Sequence, residues 1–217
     1  MVHNVNKPCM YEPHLYPPGY IKLSFEKEIK KMANFDKAFD ITMGHEGGYT
    51  NDPDDAGGET YRGIARNYHP HWSGWNIIDD TKPNIDASQM DPYVREFYED
   101  KFWDINRLDD FDDQAIANEM FDTGVNMGVG RAARFLQECL NYLNRNGSLF
   151  KDLVVDGKIG SASLAAMNEI ESHGDTEILL IMMNVCQGRH YMEYMSKSPT
   201  QEKYARGWFK RVKLSKD

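Results

Sequence analysis

"HEGGYTNDPDDAGGET", His45 to Thr60, sets five carboxylates and four glycines within sixteen residues, directly after a segment with the spacing of an amphipathic helix. Three readings compete: a solvated acidic turn, a calcium loop, or a place where one acid is held ready to break a bond. Asp52, Asp54, Ala56 and Gly57 align with positions one, three, five and six of an EF-hand loop. Position five should carry an oxygen ligand, however, and position twelve falls on Gly63 instead of a bidentate glutamate. Acid chemistry fits better. Glu46 precedes Gly47 and Gly48, which read as the stop of the helix, so it sits near a helix C-terminus, where the macrodipole disfavours its charge by about 0.3–1 kcal/mol. That effect is too small alone to keep a carboxylic acid protonated at neutral pH, and burial against Tyr49, Tyr61 or Trp72 would have to add to it. Gly47, Gly48, Gly57 and Gly58 suit a loop that turns sharply and lets a ligand approach the backbone. Asp52, Asp54 and Asp55 offer a second carboxylate, and paired carboxylates of unlike environment are what glycoside cleavage requires. Spacing alone does not separate this reading from an acid-rich turn with no function.

The rest of the composition narrows the class. A chain of 217 residues can bury a sizeable core. It has no apolar run long enough to span a bilayer and lacks the order of a signal peptide at its start, so the expectation is a protein made soluble in the cytoplasm, with no stable membrane insertion. Cys9, Cys139 and Cys186 are too far apart for a zinc site and read as reduced thiols, the last two in the core. A net charge of −9 disfavours nucleic acid. The acidic run from Asp91 to Asp113 and the basic, aromatic run from Lys203 to Lys216 read as solvated helix faces. His69 and His71 in "NYHPHW" read as loop histidines. No nucleotide, metal or nucleophile-elbow motif appears, so no cofactor is expected.

Residues 1–31 hold no helix or strand pattern. Met32 is a natural start, and Lys27-Glu28 can be encoded by a ribosome-binding sequence, so 1–31 is either translated leader or an N-terminal arm. Helical spacing follows at Phe35, Ala38, Phe39, Thr42 and Met43, then after the turn-rich "GWNIIDD" and "TKPNID" at Val94, Phe97, Tyr98 and Phe102. It continues at Ile116, Met120 and Phe121, and at Val129, Ala133, Leu136, Leu140 and Leu143. Asn146-Gly147 and Asp156-Gly157 bracket a small hairpin or extended excursion, and Ser161 is a plausible N-cap for the next helix. The reading is mainly α, with some seven helices and a minor β element in the first half.

The whole string adds what spacing does not. "HEGGYTNDPDDAGGETYRGIA" resembles the signature of the glycoside hydrolase family 108 muramidases, the TtsA-like group of phage endolysins and secretion-associated lysozymes. "FDTGVNMGVGRAARFLQECLN", "DGKIGSASLAAM" and the closing "GWFKRV" resemble the helical peptidoglycan-binding domain that follows it. The resemblance implies a lysozyme-like helical fold over 32–126, followed by a packed helical peptidoglycan-binding domain over 127–213. It implies hydrolysis of the β-1,4 bond between N-acetylmuramic acid and N-acetylglucosamine in peptidoglycan glycan strands. Carried over position by position, Glu46 becomes the general acid. Asp55, with Asp54 as its rival, and Thr60 hold water in an inverting arrangement, and Gly47, Gly48, Tyr49, Asn51, Asp52, Gly57 and Gly58 are expected to bind substrate. Asp55 meets the phage-lysozyme spacing on its glutamate side and Asp54 on its threonine side.

Ala56, Arg62 and Ala65 depart from the family pattern. Arg62 either meets a muramyl or peptide-stem carboxylate or is a surface arginine. Access to the wall would depend on a holin-like pore, a secretion machine or lysis. Asp156, Gly157 and Gly160 are expected to form a structural turn, and Trp208 to pack in the core of a final helix. Two other readings stay open: a lytic transglycosylase using the same Glu46, and a non-catalytic wall-binding or secretion-accessory protein.

Overall fold

The first helix, α1 (Phe35–Met43), begins where Asn34 accepts the Lys37 N–H at 3.0 Å and buries Phe35, Ala38 and Phe39. It ends earlier than the Gly47-Gly48 pair suggests. Gly44 adopts φ 49° and its N–H closes on the Asp40 carbonyl, a left-handed cap that glycine takes without steric cost. This computed structural model describes residues 32–44, 47–52 and 57–213. The 1–31 segment with Cys9, the acids Glu46, Asp54 and Asp55, and residues 214–217 at the end of the chain lie outside the described residues.

Three two-residue strands follow: β1 (Tyr49–Thr50), β2 (Thr60–Tyr61) and β3 (Ile64–Ala65), antiparallel in the order β1-β2-β3. Thr60 pairs with Thr50 on one side and Ala65 on the other. Arg62 (φ 45°) and Gly63 (φ 81°) make the two-residue turn between β2 and β3, both in the left-handed region that matches strand twist in a tight hairpin. A Cβ at Gly63 would lie 2.7 Å from the Tyr98 hydroxyl, which itself donates to the Arg62 carbonyl at 2.8 Å.

"GWNIIDD" is not a connection but a helix, α2 (Gly74–Thr81): Trp75 and Ile78 are buried one turn apart, a stripe too short to stand out in sequence. α3 (Ala87–Tyr98) starts a turn before the acidic run, because Asp86 caps the Ser88 N–H at 2.9 Å. It buries Met90, Val94, Phe97 and Tyr98 and passes through a wide turn (Glu99–Trp103) and two tight ones. α4 (Gln114–Met127), capped by Asp113, places Ile116, Met120 and Phe121 out of solvent.

Gly128, at φ 93°, separates α4 from α5 (Val129–Leu143), whose Leu136 and Leu140 are fully buried. α6 (Ser161–Ser172), α7 (Thr176–Lys197) and α8 (Ala205–Phe209) complete eight α-helices among the described residues. Ser161 is the first residue of α6; the N-cap is Gly160. From Lys31 onward the chain forms one compact unit. In its core Phe35 packs edge-on against Trp103 and Phe121, and α4 lies against α1, α5 and α7. Cys139 and Cys186 are buried, reduced, with their sulfurs 3.8 Å apart.

No strand forms among residues 148–160. Polar side chains on one face of α5 take the hydrogen bonds that a hairpin partner would have offered. Asn141 makes a reciprocal pair with Leu153, at 2.9 and 2.7 Å. Gln137 accepts from the Gly157 N–H at 2.9 Å and donates to the Lys158 carbonyl at 3.0 Å, and Arg134 donates to the Val155 carbonyl at 2.7 Å. Gly157 (φ 77°) is the turn the sequence suggested, closed by Asp156 Oδ1 accepting the Lys158 N–H. Two expectations change. Trp208 is half-buried, stacked on Tyr191 at 5.1 Å, and is not a core residue. The 91–113 run is not merely solvated: Asp91 and Asp110 pair with arginines, Asp109 accepts from the Trp103 indole and Asp113 caps a helix.

Candidate active site

The end of α1, the small sheet and the start of α3 enclose an open cleft of about 640 Å³. Gly44, Gly47 and Gly48 line one wall, and Tyr49 and Tyr61 add aromatic surface. Three expected site residues, Gly47, Gly48 and Tyr49, therefore share the cleft. Trp72 does not: it stacks behind Tyr61 at 6.3 Å, while Tyr61 is 4 % exposed and carries the aromatic face toward the cleft.

Opposite the glycines lies a network of charges. Arg62 donates to Asp91 at 3.0 Å, and Arg95 donates to Asp91 at 2.7 Å, to Asp36 at 2.9 Å and to Asp40 at 2.8 Å. Arg62 is thus not a surface arginine, with a side chain only 15 % exposed. The Arg95 guanidinium lies 4.4 Å over the Phe39 ring, which fastens α3 to α1. Burial opposes the Asp91 charge, but Arg95 and Arg62 overcome it and hold its carboxyl below the usual carboxylate range. The Tyr98 hydroxyl is pushed up to about 12 by burial, against the pull of Arg62.

A second network lies behind Tyr49 and was missed from sequence. Glu59 Oε1 accepts from the Tyr49 hydroxyl at 2.5 Å and from Lys82 Nζ at 2.9 Å, while Oε2 pairs with Arg66 Nε at 2.7 Å. Arg66 in turn grips Asp79 with both terminal nitrogens. Burial works to raise the Glu59 pKa, but the bonds from Tyr49 and Lys82 and the Arg66 charge outweigh it, so Glu59 stays ionised. Its bond to Tyr49 raises the tyrosine's pKa and fixes that ring at the cleft edge. Glu59 stood in the quoted stretch as one acid among five. What marks it is Arg66 seven residues on and Lys82 beyond, a convergence that only the hairpin and α2 create.

The remaining expected residues lie apart from the cleft lining. Thr60 neighbours Tyr61 on β2, and its Oγ1 donates to the Gly58 carbonyl at 3.0 Å. Gly57 accepts the Asn67 N–H at 3.2 Å, and a Cβ at Gly58 (φ 67°) would lie 2.9 Å from the Asn67 amide, so these glycines shape the loop. Asn51 and Asp52 are exposed. Asp40, Asp91 and Arg95 line the cleft without having been singled out. Asp91 and Arg95 are a visible i,i+4 pair, but their reach to α1 is tertiary.

Residues 39–128 match the family "Glycosyl hydrolase 108", and residues 131–213 match "Predicted Peptidoglycan domain". The two matches meet at the α4–α5 junction. Among solved structures, SagA of Brucella abortus has a similar fold, with a TM-score of 0.56 at 21 % identity, covering 82 % of this chain and 88 % of that one. No significant match is found among curated proteins.

Proposed function

We propose, from the match of residues 39–128 to the glycosyl hydrolase 108 family and of residues 131–213 to a peptidoglycan domain, that the protein hydrolyses the β-1,4 bond between N-acetylmuramic acid and N-acetylglucosamine. Glu46 is the general acid, protonating the glycosidic oxygen as positive charge builds on the sugar. The Asp55 carboxylate and the Thr60 hydroxyl hold the attacking water on the opposite face, with inversion at the anomeric carbon.

One observation carries this reading. The cleft is lined by Gly44, Gly47 and Gly48, the residues on either side of position 46, and none of the three has a side chain to keep a sugar away from the backbone. Thr60 spends its proton on the Gly58 carbonyl, which leaves its oxygen lone pairs free to accept from a water.

Mass analysis of the sugars released from purified peptidoglycan tests the reaction. N-acetylmuramic acid reducing ends, heavier by one water than anhydro ends, are expected. Ends of the 1,6-anhydro type would replace hydrolysis by lytic transglycosylation, and reducing N-acetylglucosamine would overturn the choice of bond.

A further inference from the structure

The cleft leaves unexplained a second, charged pocket of about 340 Å³ on the seam where α1 and α4 meet α7 and the C-terminal segment. Its floor is Glu119, 7 % exposed. The Thr123 hydroxyl donates to Glu119 Oε1 at 3.1 Å and accepts in turn from Gln187 Nε2 at 3.1 Å. Neighbouring Asp122 is already matched: Arg211 donates to it at 2.6 Å and Gln187 at 3.1 Å. Glu119 has no arginine in contact with it. At the rim stand Lys210 and Lys213, both exposed and neither in a salt bridge among the described residues, and the Lys213 charge acts on Glu119 and Asp122 from there. Asn184 holds the rim in place by accepting the Lys213 N–H at 2.5 Å. Ile41 and Leu180 supply apolar sides.

The arrangement selects its ligand by charge. A simple anion would meet the Glu119 carboxyl at the floor, and a neutral sugar would leave both rim lysines unused. A group that carries an ammonium and a carboxylate on one carbon satisfies both ends, and a pocket of this size holds one such head group. We infer that this pocket binds the amino-acid zwitterion of a peptidoglycan stem peptide, its ammonium taking the place of the Glu119 carboxyl proton, which passes to solvent, and its carboxylate lying on Lys210 and Lys213. The assignment rests on peptidoglycan being the substrate, but it is independent of the glycosidic cleft. It gives the seam between the hydrolase and peptidoglycan-domain regions a recognition role.

The test titrates the full chain with the sugar-free tripeptide L-Ala-γ-D-Glu-meso-diaminopimelate, followed calorimetrically and by NMR. Saturable binding is expected, weakened at least tenfold by Glu119→Gln and at least tenfold by Lys213→Glu, and lost when the diaminopimelate side-chain amine is acetylated. Lys213→Glu changes an exposed residue, so it remains informative should the buried variant fold poorly. Hydrolysis of peptide-free glycan is expected to be unchanged in both variants. Glu46→Gln is expected to keep full tripeptide binding, so failure of the pocket and failure of the hydrolase reading give different results. Absence of saturable binding at millimolar tripeptide, or equal binding of the acetylated peptide, would overturn the assignment.

Discussion

Replacing Glu119 by glutamine isolates one buried acid and gives a pH-dependent gain in stability. Burial, reinforced by the nearby Asp122 charge and only partly offset by Thr123 and Asn184, pushes the Glu119 pKa up to about 7 from its ordinary 4.5. Asp122 on the same helix, Tyr191 on α7 and Arg211 and Lys213 on the C-terminal segment are the titratable groups facing this site. The unfolded chain ionises Glu119 near 4.5, whereas the folded protein keeps its proton until about pH 7. The acid therefore contributes its full share of stability below pH 4.5 and loses it as pH rises through about 7. At 1.36 kcal/mol per pH unit the loss reaches roughly 3 kcal/mol. Glutamine has nearly the same shape, still accepts from Thr123 and carries no such dependence. Urea unfolding is expected to show wild type and Glu119→Gln alike at pH 4.5, and the variant more stable by up to roughly 3 kcal/mol at pH 8, or a melting temperature higher by roughly 6–12 °C. A stability difference that does not change between the two pH values would refute a neutral, buried Glu119.

Other substitutions probe the supports around the two sites. Arg211→Met strands the Asp122 carboxylate, whose side chain is 15 % exposed, and is expected to cost about 3–5 kcal/mol in denaturant unfolding at pH 7; a loss near zero would mean that the pair is solvent-screened. Gly157→Ala puts a methyl 2.7 Å from the Gly130 carbonyl at a left-handed φ and is expected to lower stability by about 1–3 kcal/mol, whereas Gly147→Ala, with open space around it, should lose less. Glu59→Gln removes a carboxylate that stays ionised, and a deficit of about 2 kcal/mol is expected at pH 7. Because the Glu59 carboxyl titrates below its ordinary 4.5, that deficit should vanish as pH falls through its native value; a deficit that persists in strong acid would contradict the ionised hub.

Long stripes were legible in the sequence, whereas the caps were not: Ser161, expected as an N-cap, is the first residue of α6, and α1 stops at Gly44. α1, α4 and α5 repeat apolar residues over two turns or more, so their burial follows from spacing alone, and Phe39, Ile116, Met120, Phe121, Leu136 and Leu140 are at most 1 % exposed. α2 escaped because two buried residues one turn apart do not make a period. The expected hairpin at 146–160 failed for a different reason: its hydrogen bonds go to Gln137 and Asn141, which sit beside the apolar stripe of α5 and look like neutral polar positions. At the cleft, Gly47, Gly48 and Tyr49 were legible as an ordered string. The Glu59–Lys82, Arg95–Asp40 and Arg62–Asp91 links were not, because each joins residues more than 20 positions apart through folds of the chain that no local pattern records. Trp72 was placed at the cleft by proximity in sequence, yet Tyr61 stands in front of it.

The central claim is that Glu46 delivers the proton that breaks the glycan chain. The direct measurement is the initial rate of turbidity loss of purified peptidoglycan with wild type and with Glu46→Gln at matched concentration, each checked for an unchanged fold by circular dichroism. Loss of most of the rate, about a hundredfold or more, is the predicted result. Near-normal lysis by Glu46→Gln would contradict the account.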